Sequence, residues 1–444
     1  MAFSMKPLHV MCSGFSCFSI SCMIICKLGG CGGGYMSVHE ESKLLSFASN
    51  VCKNKDYLHH HYSDFSLNQI NHILQFQQSH PNYKQTPLHQ LKHLANYLGL
   101  GNIYVKDESY RFHLNAFKVL GGIYAIGKYL ANELGRDIHT LSFNDLTSSD
   151  VKRRLGDLTF ITATDGNHGK GIAWAARELG HRSVVYMPKG TTNERVRLIQ
   201  AEGAQVKVIK GNYDEAVRLA ANDAKEHSWI LLQDTSWDGY ERIPHWIMQG
   251  YSSLAKEIVE EIADKQLPIP THVFLQVGVG SFAAAVAIFF THYYKERCPR
   301  IFLIEPHRAN CYYQSFVEQK ENYKVVSGDL QTIMAGLSCG VPNPKAWELL
   351  KWQATGAFSV ADPVAALGMR LLGNPLPKDV QITSGESGAV PAGLLYCLTA
   401  KKHYHTLKEK LALNEHAHVL FINTEGDTDE SHYRKIVWEG AFSL

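Results

Sequence analysis

Short apolar runs alternate with helical patterns through the middle of the chain. The β-rich run 158–163 leads through a glycine-rich turn into a helical pattern over 171–179. The same order recurs twice more along the chain, with strands predicted at 183–187 and 205–209 and helices at 193–203 and 216–226, and a further strand is predicted at 230–233. A strand–turn–helix repeat is typical of a parallel, doubly wound sheet. The pattern therefore predicts an α/β fold.

A second series of the same kind lies on either side of this region. Its predicted strands are 103–106, 271–277, 301–304, 380–383 and 419–423, and its predicted helices are 91–98, 282–290 and one that begins near Ser66. The two series predict two α/β domains, a small one over 113–239 and a large one built from 37–112 and 240–444. In such sheets, ligands bind at the carboxyl ends of the strands, so we expect the active site in the cleft between the domains.

Composition narrows the classes of function. At 444 residues the chain can form two domains, and its net charge of +2 supplies no basic excess for a nucleic acid or a membrane surface. His59–His60–His61 has no Cys, Asp or Glu at ligand spacing, so we interpret it as a solvated run and predict no metal site.

The first 36 residues differ from the rest. The stretch 10–26 is mildly apolar, but serines and cysteines interrupt it, which makes it weak as a signal peptide and too short for a membrane span. We favour a disordered extension, with Met36 as an alternative start. The ten cysteines match no zinc spacing and indicate reduced thiols of a cytoplasmic protein. Whether Cys311 and Cys339 pair is left open.

Lys118 is the first candidate for chemistry. It lies in an apolar and small-residue segment, 114–122. Such a lysine either extends its amine to water or uses it, because a buried amine loses its charge readily and can then link covalently to an aldehyde. The lysine alone does not decide between these readings.

Three glycine-rich turns, 162–171, 278–283 and 383–389, each follow a predicted strand and precede a helix. The free N–H groups at such a helix start suit a phosphate, and the turn 278–283 offers the closest backbone approach. Each turn is equally explained as a tight loop that needs positive φ. The turn 278–283 lacks the third glycine of the dinucleotide fingerprint, and the chain has no Walker A motif.

Taken together, these motifs resemble the fold-type II pyridoxal-phosphate enzymes, the superfamily of threonine dehydratase and the tryptophan synthase β chain. Within that group the chain is similar to the diaminopropionate ammonia-lyases from about Tyr83 onward. The segments that carry the resemblance are 106–112, 115–118, 165–169, 233–240, 278–281, 334–340 and 423–429. One departure is His113, where the family tends to have glycine.

The resemblance implies a cytoplasmic homodimeric lyase that uses pyridoxal 5'-phosphate, held by the large domain, to convert D- and L-2,3-diaminopropionate to pyruvate and two ammonia. It makes Lys118 the residue that is linked to the cofactor and Asn167 the partner of the cofactor's 3' oxygen. Asn167 can also be explained as a turn residue. The resemblance also identifies the phosphate loop as Gly278, Val279, Gly280 and Ser281. Related enzymes pair the pyridine nitrogen with a hydroxyl, for which Thr424 is the better candidate and Ser384 the weaker.

Two aspartates are candidates for contacts with the substrate. Asp165 could cap the following helix, bind the substrate's β-ammonium group, or remove a Cα proton from the face opposite Lys118. Asp234 can be explained as an Asx-turn residue with no further role, but the resemblance makes it a second acidic contact for the diamino substrate. The rival functions are a threonine or serine dehydratase, a β-replacement synthase of the same fold, and a ligand-binding relative without catalysis. Asp165 argues against the first two, and Lys118 argues against the third.

Overall fold

A computed structural model describes residues 39–40, 42–51, 63–164 and 166–444. The predictions for 1–36, for His59–His61 and for the structure around Asp165 lie outside these described residues. Within them the chain forms two sheets, and the helices pack on the faces of those sheets.

The larger sheet has eight strands in the order β1-β2-β11-β10-β9-β12-β4-β3. Its five inner strands from β11 to β4 run parallel, while β1, β2 and β3 add antiparallel edges. The strands are β1 His39–Glu40, β2 Leu45–Ser49, β3 Leu88–Gln90, β4 Asn102–Asp107, β9 His272–Gln276, β10 Arg300–Pro306, β11 Ala354–Val360 and β12 His418–Asn423. The inner strands are almost wholly buried, which explains why they appear in the sequence as unbroken apolar runs.

The smaller sheet is entirely parallel and has the order β7-β6-β5-β8. Its strands are β5 Thr159–Ala163, β6 Arg182–Met187, β7 Gln205–Val208 and β8 Ile230–Leu231. All four lie within the segment 113–239 that the sequence assigned to the small domain. The exact domain boundaries remain a prediction.

The helices fill the connections between the strands. They are α1 Leu67–Gln78, α2 Lys92–Leu98, α3 Val119–Glu133, α4 Phe143–Leu146, α5 Ser149–Leu155, α6 Asn167–Glu178, α7 Asn193–Ala201, α8 Tyr213–Glu226, α9 Arg242–Asp264, α10 Ser281–Tyr294, α11 Cys311–Glu318, α12 Pro344–Gln353, α13 Asp362–Gly373, α14 Glu386–Ala400, α15 His405–Lys410 and α16 Glu430–Val437. Helix α10 is apolar on nearly every side because it is buried on nearly every side. No described helix is both long and apolar enough to cross a bilayer.

The predicted mostly parallel α/β fold is confirmed, and most predicted strands agree with the structure to within one or two residues. The strand predicted at 380–383 is wrong. Its apolar residues are extended but pair with no strand, because Ile382 donates its N–H to the Leu372 carbonyl at the end of α13 (3.0 Å). The Thr383 carbonyl accepts from the Asn423 side chain (3.2 Å). A short apolar run therefore ends in a loop that leads into α14.

Candidate active site

The segment before Lys118 has an unusual backbone. Phe112, His113 and Asn115 have φ values of 49°, 60° and 64°, in the left-handed region that non-glycine residues rarely adopt. The residue at position 113 is therefore in a conformation that suits glycine. Histidine at this position therefore carries a local energetic cost that glycine would not.

Contacts with the turn after β12 hold this segment in place. Asn115 donates its side-chain amide to Asp427 (3.0 Å), and its carbonyl accepts the Gly426 N–H (3.0 Å). Phe117 donates its N–H to the Thr424 carbonyl (3.2 Å). Lys118 follows directly at the start of α3, so the lysine is fixed against the large sheet.

A buried ion network anchors the other end of the same segment. Arg111 is fully buried and donates to Glu108 and to both oxygens of Glu257 on α9 (2.8 Å each to Glu257). Lys106 on β4 donates to Glu257 as well (2.6 Å). Two cations against two carboxylates balance the charge, which a buried cluster requires. The network ties β4 and α9 to the chain that leads to Lys118.

Lys118 forms an ion pair with Asp234. The Nζ–Oδ2 distance is 2.6 Å, and about 21% of the lysine side chain remains accessible from the cleft. Burial alone would lower the pKa of Lys118, but the Asp234 carboxylate more than offsets it and the pKa lies above its ordinary value. The pKa of Asp234 falls to about 2: burial opposes the change, but the Lys118 charge outweighs it. Facing this carboxylate, the Lys118 amine is therefore held in its charged form.

Two further side chains surround the pair. His168 donates Nε2–H to the Leu232 carbonyl (2.9 Å), which places its Nδ1 3.8 Å from the Asp234 carboxylate. Burial lowers the pKa of His168, so the ring is neutral and Nδ1 is an acceptor. Tyr251 on α9 has a buried hydroxyl without a hydrogen-bond partner. Both residues face the cavity that contains Lys118.

The loop Gly278–Val279–Gly280–Ser281 connects β9 to α10 at one end of this cavity. Helix α10 begins without a side-chain cap. Gly280 has φ +102°, and a Cβ there would overlap the Tyr312 hydroxyl, so only glycine fits. An uncapped helix start behind a glycine loop presents N–H groups and the positive end of the helix dipole to an anion.

The opposite wall carries amide and hydroxyl groups. Asn167 donates its side-chain amide to Glu425, whose pKa is raised by burial and by the nearby Glu386. Thr424 lines the cavity, whereas the Ser384 hydroxyl is buried and bonded to the Gly385 carbonyl (3.0 Å). Of the two predicted partners for the pyridine nitrogen, only Thr424 faces the cavity.

One cavity therefore collects all of the described residues that the sequence singled out for the cofactor or substrate except Ser384. Its walls also contain four buried polar atoms without a hydrogen-bond partner, namely His168 Nδ1, Tyr251 Oη, Gln276 Oε1 and Ser387 Oγ. Buried polar atoms are rarely left unpaired, so this concentration indicates a polar ligand. Pyridoxal phosphate fits the residues present: the glycine loop suits its phosphate, the hydroxyls suit its ring nitrogen, and Lys118 suits its aldehyde.

The sequence did not single out Tyr251, Gln276 or Ser387. Tyr251 lies in the middle of the amphipathic helix α9 and carries no motif, so the sequence gives no signal for it. Ser387 does lie in the turn 383–389, and its position at a helix start after glycine is a signal that could have found it. Cys311 and Cys339 do not form a disulfide with each other.

Comparisons with known proteins agree with this geometry. Residues 80–425 match the family model described as "Pyridoxal-phosphate dependent enzyme". A diaminopropionate ammonia-lyase of Salmonella typhimurium is 51% identical over 369 residues, which is 83% of this chain and 91% of the relative. One from Escherichia coli K12 is 50% identical over 385 residues, 86% of this chain and 94% of the relative.

The fold also matches a solved structure. The holo diaminopropionate ammonia lyase from Escherichia coli superimposes with a TM-score of 0.84 at 46% identity, covering 90% of this chain and 98% of that one. The match extends over both sheets, so it covers the cavity as well as the scaffold. The chain belongs to the pyridoxal-phosphate dependent enzymes and, among them, to the diaminopropionate ammonia-lyase family.

Proposed function

We propose that this chain is a carbon–nitrogen lyase that uses pyridoxal phosphate to convert 2,3-diaminopropionate, in its D and L forms, to pyruvate and two ammonia. The observation that carries the proposal is the Lys118–Asp234 pair, 2.6 Å apart in a cavity that ends in the uncapped glycine loop. When bound, pyridoxal phosphate supplies an aldehyde that links to amines and a ring that withdraws electrons from Cα of the linked amino acid.

Lys118 holds and moves protons in this proposal. Its Nζ would hold the cofactor through the aldehyde, and as a free amine it would take the Cα proton of the L form. Asp234 lies next to it and stabilises the ammonium that results. The same carboxylate attracts the β-ammonium group of a diamino acid, which serine and threonine lack.

The cofactor contacts follow from the walls of the cavity. Gly278, Val279, Gly280 and Ser281 hold the phosphate, Asn167 binds the 3' oxygen, and the Thr424 hydroxyl faces the pyridine nitrogen. The unpaired Ser387 hydroxyl lines the same cavity and offers a second donor for the ring nitrogen. A hydroxyl is too weakly acidic to protonate the pyridine nitrogen, so the ring would not carry a full positive charge. This is consistent with elimination in related enzymes.

A pyruvate assay tests the proposed activity. We expect pyruvate release from 2,3-diaminopropionate to be at least roughly tenfold faster, in kcat/KM, than from serine or threonine, because only the diamino acid presents a second cation to the carboxylates. Faster turnover of threonine or serine would replace the proposal with the dehydratase alternative. The wild type should show a visible absorbance that borohydride abolishes, and Lys118→Ala should lack this absorbance. That result would exclude a ligand-binding relative without catalysis.

Asp165 is proposed as the base for the D form, on the face opposite Lys118. We expect Asp165→Asn to lower kcat/KM on the D substrate by roughly 100-fold or more and on the L substrate by much less, because general-base catalysis contributes about that factor. Asp234→Asn is the matched comparison: it should lower kcat/KM on both forms through the lost contact with the β-ammonium group, and more on the L form, whose Cα proton Lys118 takes. Equal loss on D and L in Asp165→Asn would remove this role and leave helix capping.

Assembly and location are further parts of the proposal. The family resemblance supports a homodimer, which light scattering at micromolar concentration tests directly. None of the four described cysteines is in a disulfide, which supports a reducing, cytoplasmic environment.

A further inference from the structure

A buried carboxylate lies behind the glycine loop and outside the cavity that holds Lys118. Glu305, near the end of β10, is fully buried and accepts the backbone N–H groups of Tyr312 (2.9 Å) and Tyr313 (2.7 Å). Its Oε1 also receives the Cys311 thiol (3.4 Å). These donors belong to the first turn of α11, so Glu305 caps this helix and fixes its position against the large sheet.

Helix α11 in turn places Tyr312 directly behind the loop. Tyr312 is fully buried, and its hydroxyl donates to the Val279 carbonyl (3.1 Å). A Cβ on Gly280 would overlap the same hydroxyl, so the tyrosine fills the space behind the loop. Asn343 also donates its N–H to the Val279 carbonyl (2.8 Å) and its side-chain amide to Ser281 (3.1 Å). The loop is therefore held from behind by two separate elements.

We propose that Glu305 and Tyr312 are positioning residues that fix the loop Gly278–Ser281 in the conformation that binds the cofactor phosphate. Neither residue touches the reacting atoms in this proposal. A glycine-rich loop has many accessible conformations, and a partner that restricts it beforehand raises affinity because less order has to be imposed on binding. The inference rests on the proposed phosphate role of the loop and deepens it.

The test is a titration of cofactor-free protein with pyridoxal 5'-phosphate, followed by visible absorbance. Tyr312→Phe removes one hydroxyl and keeps the ring, so we expect Kd to rise about 3- to 10-fold, the effect of losing one hydrogen bond. The matched control is Tyr104→Phe. Tyr104 is also fully buried and also donates to a backbone carbonyl, that of Pro268, at 3.1 Å, but it lies away from the loop. It should leave Kd unchanged.

The outcomes separate this proposal from the function itself. Wild-type protein that binds no pyridoxal 5'-phosphate would end the proposed function. Wild-type binding with a Tyr312→Phe Kd within twofold of it, or an equal rise in Tyr104→Phe, would end only the positioning role. Glu305→Gln gives a second reading in case Tyr312→Phe does not fold. This variant should also raise Kd. The amide nitrogen of glutamine is a donor, so one of the two oxygens that hold α11 is lost as an acceptor. An unchanged Kd would likewise overturn the proposal.

Discussion

Two glycine-rich turns of this chain have the same order of strand, turn and helix, but they differ in whether a side chain accepts their backbone N–H groups. In the turn between β5 and α6, the Thr164 hydroxyl accepts the N–H groups of Gly166 (2.9 Å) and Gly169 (3.0 Å). In the loop between β9 and α10, no side chain caps the helix. In the described part of the first turn, Thr164 therefore takes up two of the N–H groups and the Asn167 side chain faces the cavity, whereas the second turn presents its backbone.

The third turn, before α14, resembles the first. Glu425 accepts the N–H of Ser387 through its side chain (3.1 Å) and the N–H of Gly385 through its carbonyl (3.0 Å). Among the described residues of the three turns, the loop 278–281 is therefore the one in which no side chain accepts an N–H of the helix start, whereas Thr164 and Glu425 accept one in the other two. The lesson is that a glycine-rich turn predicts an anion site only when no neighbouring side chain already accepts its N–H groups.

The largest effect is expected from closing the open turn. Gly280→Ala adds a Cβ at φ +102° that overlaps Tyr312, so the loop must move. We expect the Kd for pyridoxal 5'-phosphate to rise roughly 100-fold or more, since both backbone strain and displacement act on the phosphate contacts. Absorbance titration of cofactor-free protein measures this.

Gly190→Ala is the control for backbone strain alone. Gly190 has a similar φ of +93°, but an added Cβ would meet nothing within 4 Å. This variant should lower the melting temperature without changing the Kd. If both variants weakened cofactor binding equally, the open turn would have no special role.

The sequence predicted all four strands of the smaller sheet and four of the eight in the larger one, because many buried parallel strands appear as continuous apolar runs between turns. It missed the antiparallel strands β1, β2 and β3 and the inner strand β11, in which small and polar residues interrupt the apolar run. It failed at 380–383, where an equally apolar run forms hydrogen bonds with Leu372 and Asn423 instead of with a strand. Nothing within the run distinguishes these two outcomes, because the partners lie about 10 and 40 residues away.

The site was predicted unevenly for a related reason. Lys118 and the loop 278–281 belong to local motifs, so sequence finds them. The contacts of Asp234 with Lys118 and of Tyr312 with Val279 join residues far apart in the chain, and the charge state of Lys118 depends on the first of them. Single-sequence patterns carry no information on such pairs, and the alignment of two loops in space decides them.

A smaller effect is expected from the carboxylate that supports the open turn. Burial raises the pKa of Glu305 from 4.5 to about 8, so between these values the folded protein binds a proton that the unfolded chain has lost. Stability from this group is therefore present below about pH 4.5 and declines as pH rises toward 8. We expect the advantage of wild type over Glu305→Gln to shrink by about 3 kcal/mol between pH 5 and pH 7.5. Melting temperatures of cofactor-free protein at several pH values measure this, and a constant difference would contradict it.

The smallest effect is expected from the turn that caps itself. Thr164→Val removes the hydroxyl that accepts from Gly166 and Gly169, so we expect a loss of about 1 to 2 kcal/mol in the free energy of unfolding. The Kd for pyridoxal 5'-phosphate should change less than about threefold, since these N–H groups face Thr164 and not the phosphate. Ser148→Ala, which removes the cap of α5 at Val151, is the control for a cap remote from the cavity. If Thr164→Val weakened cofactor binding as much as Gly280→Ala, both turns would bind the cofactor through their backbone. The contrast between them would then be lost.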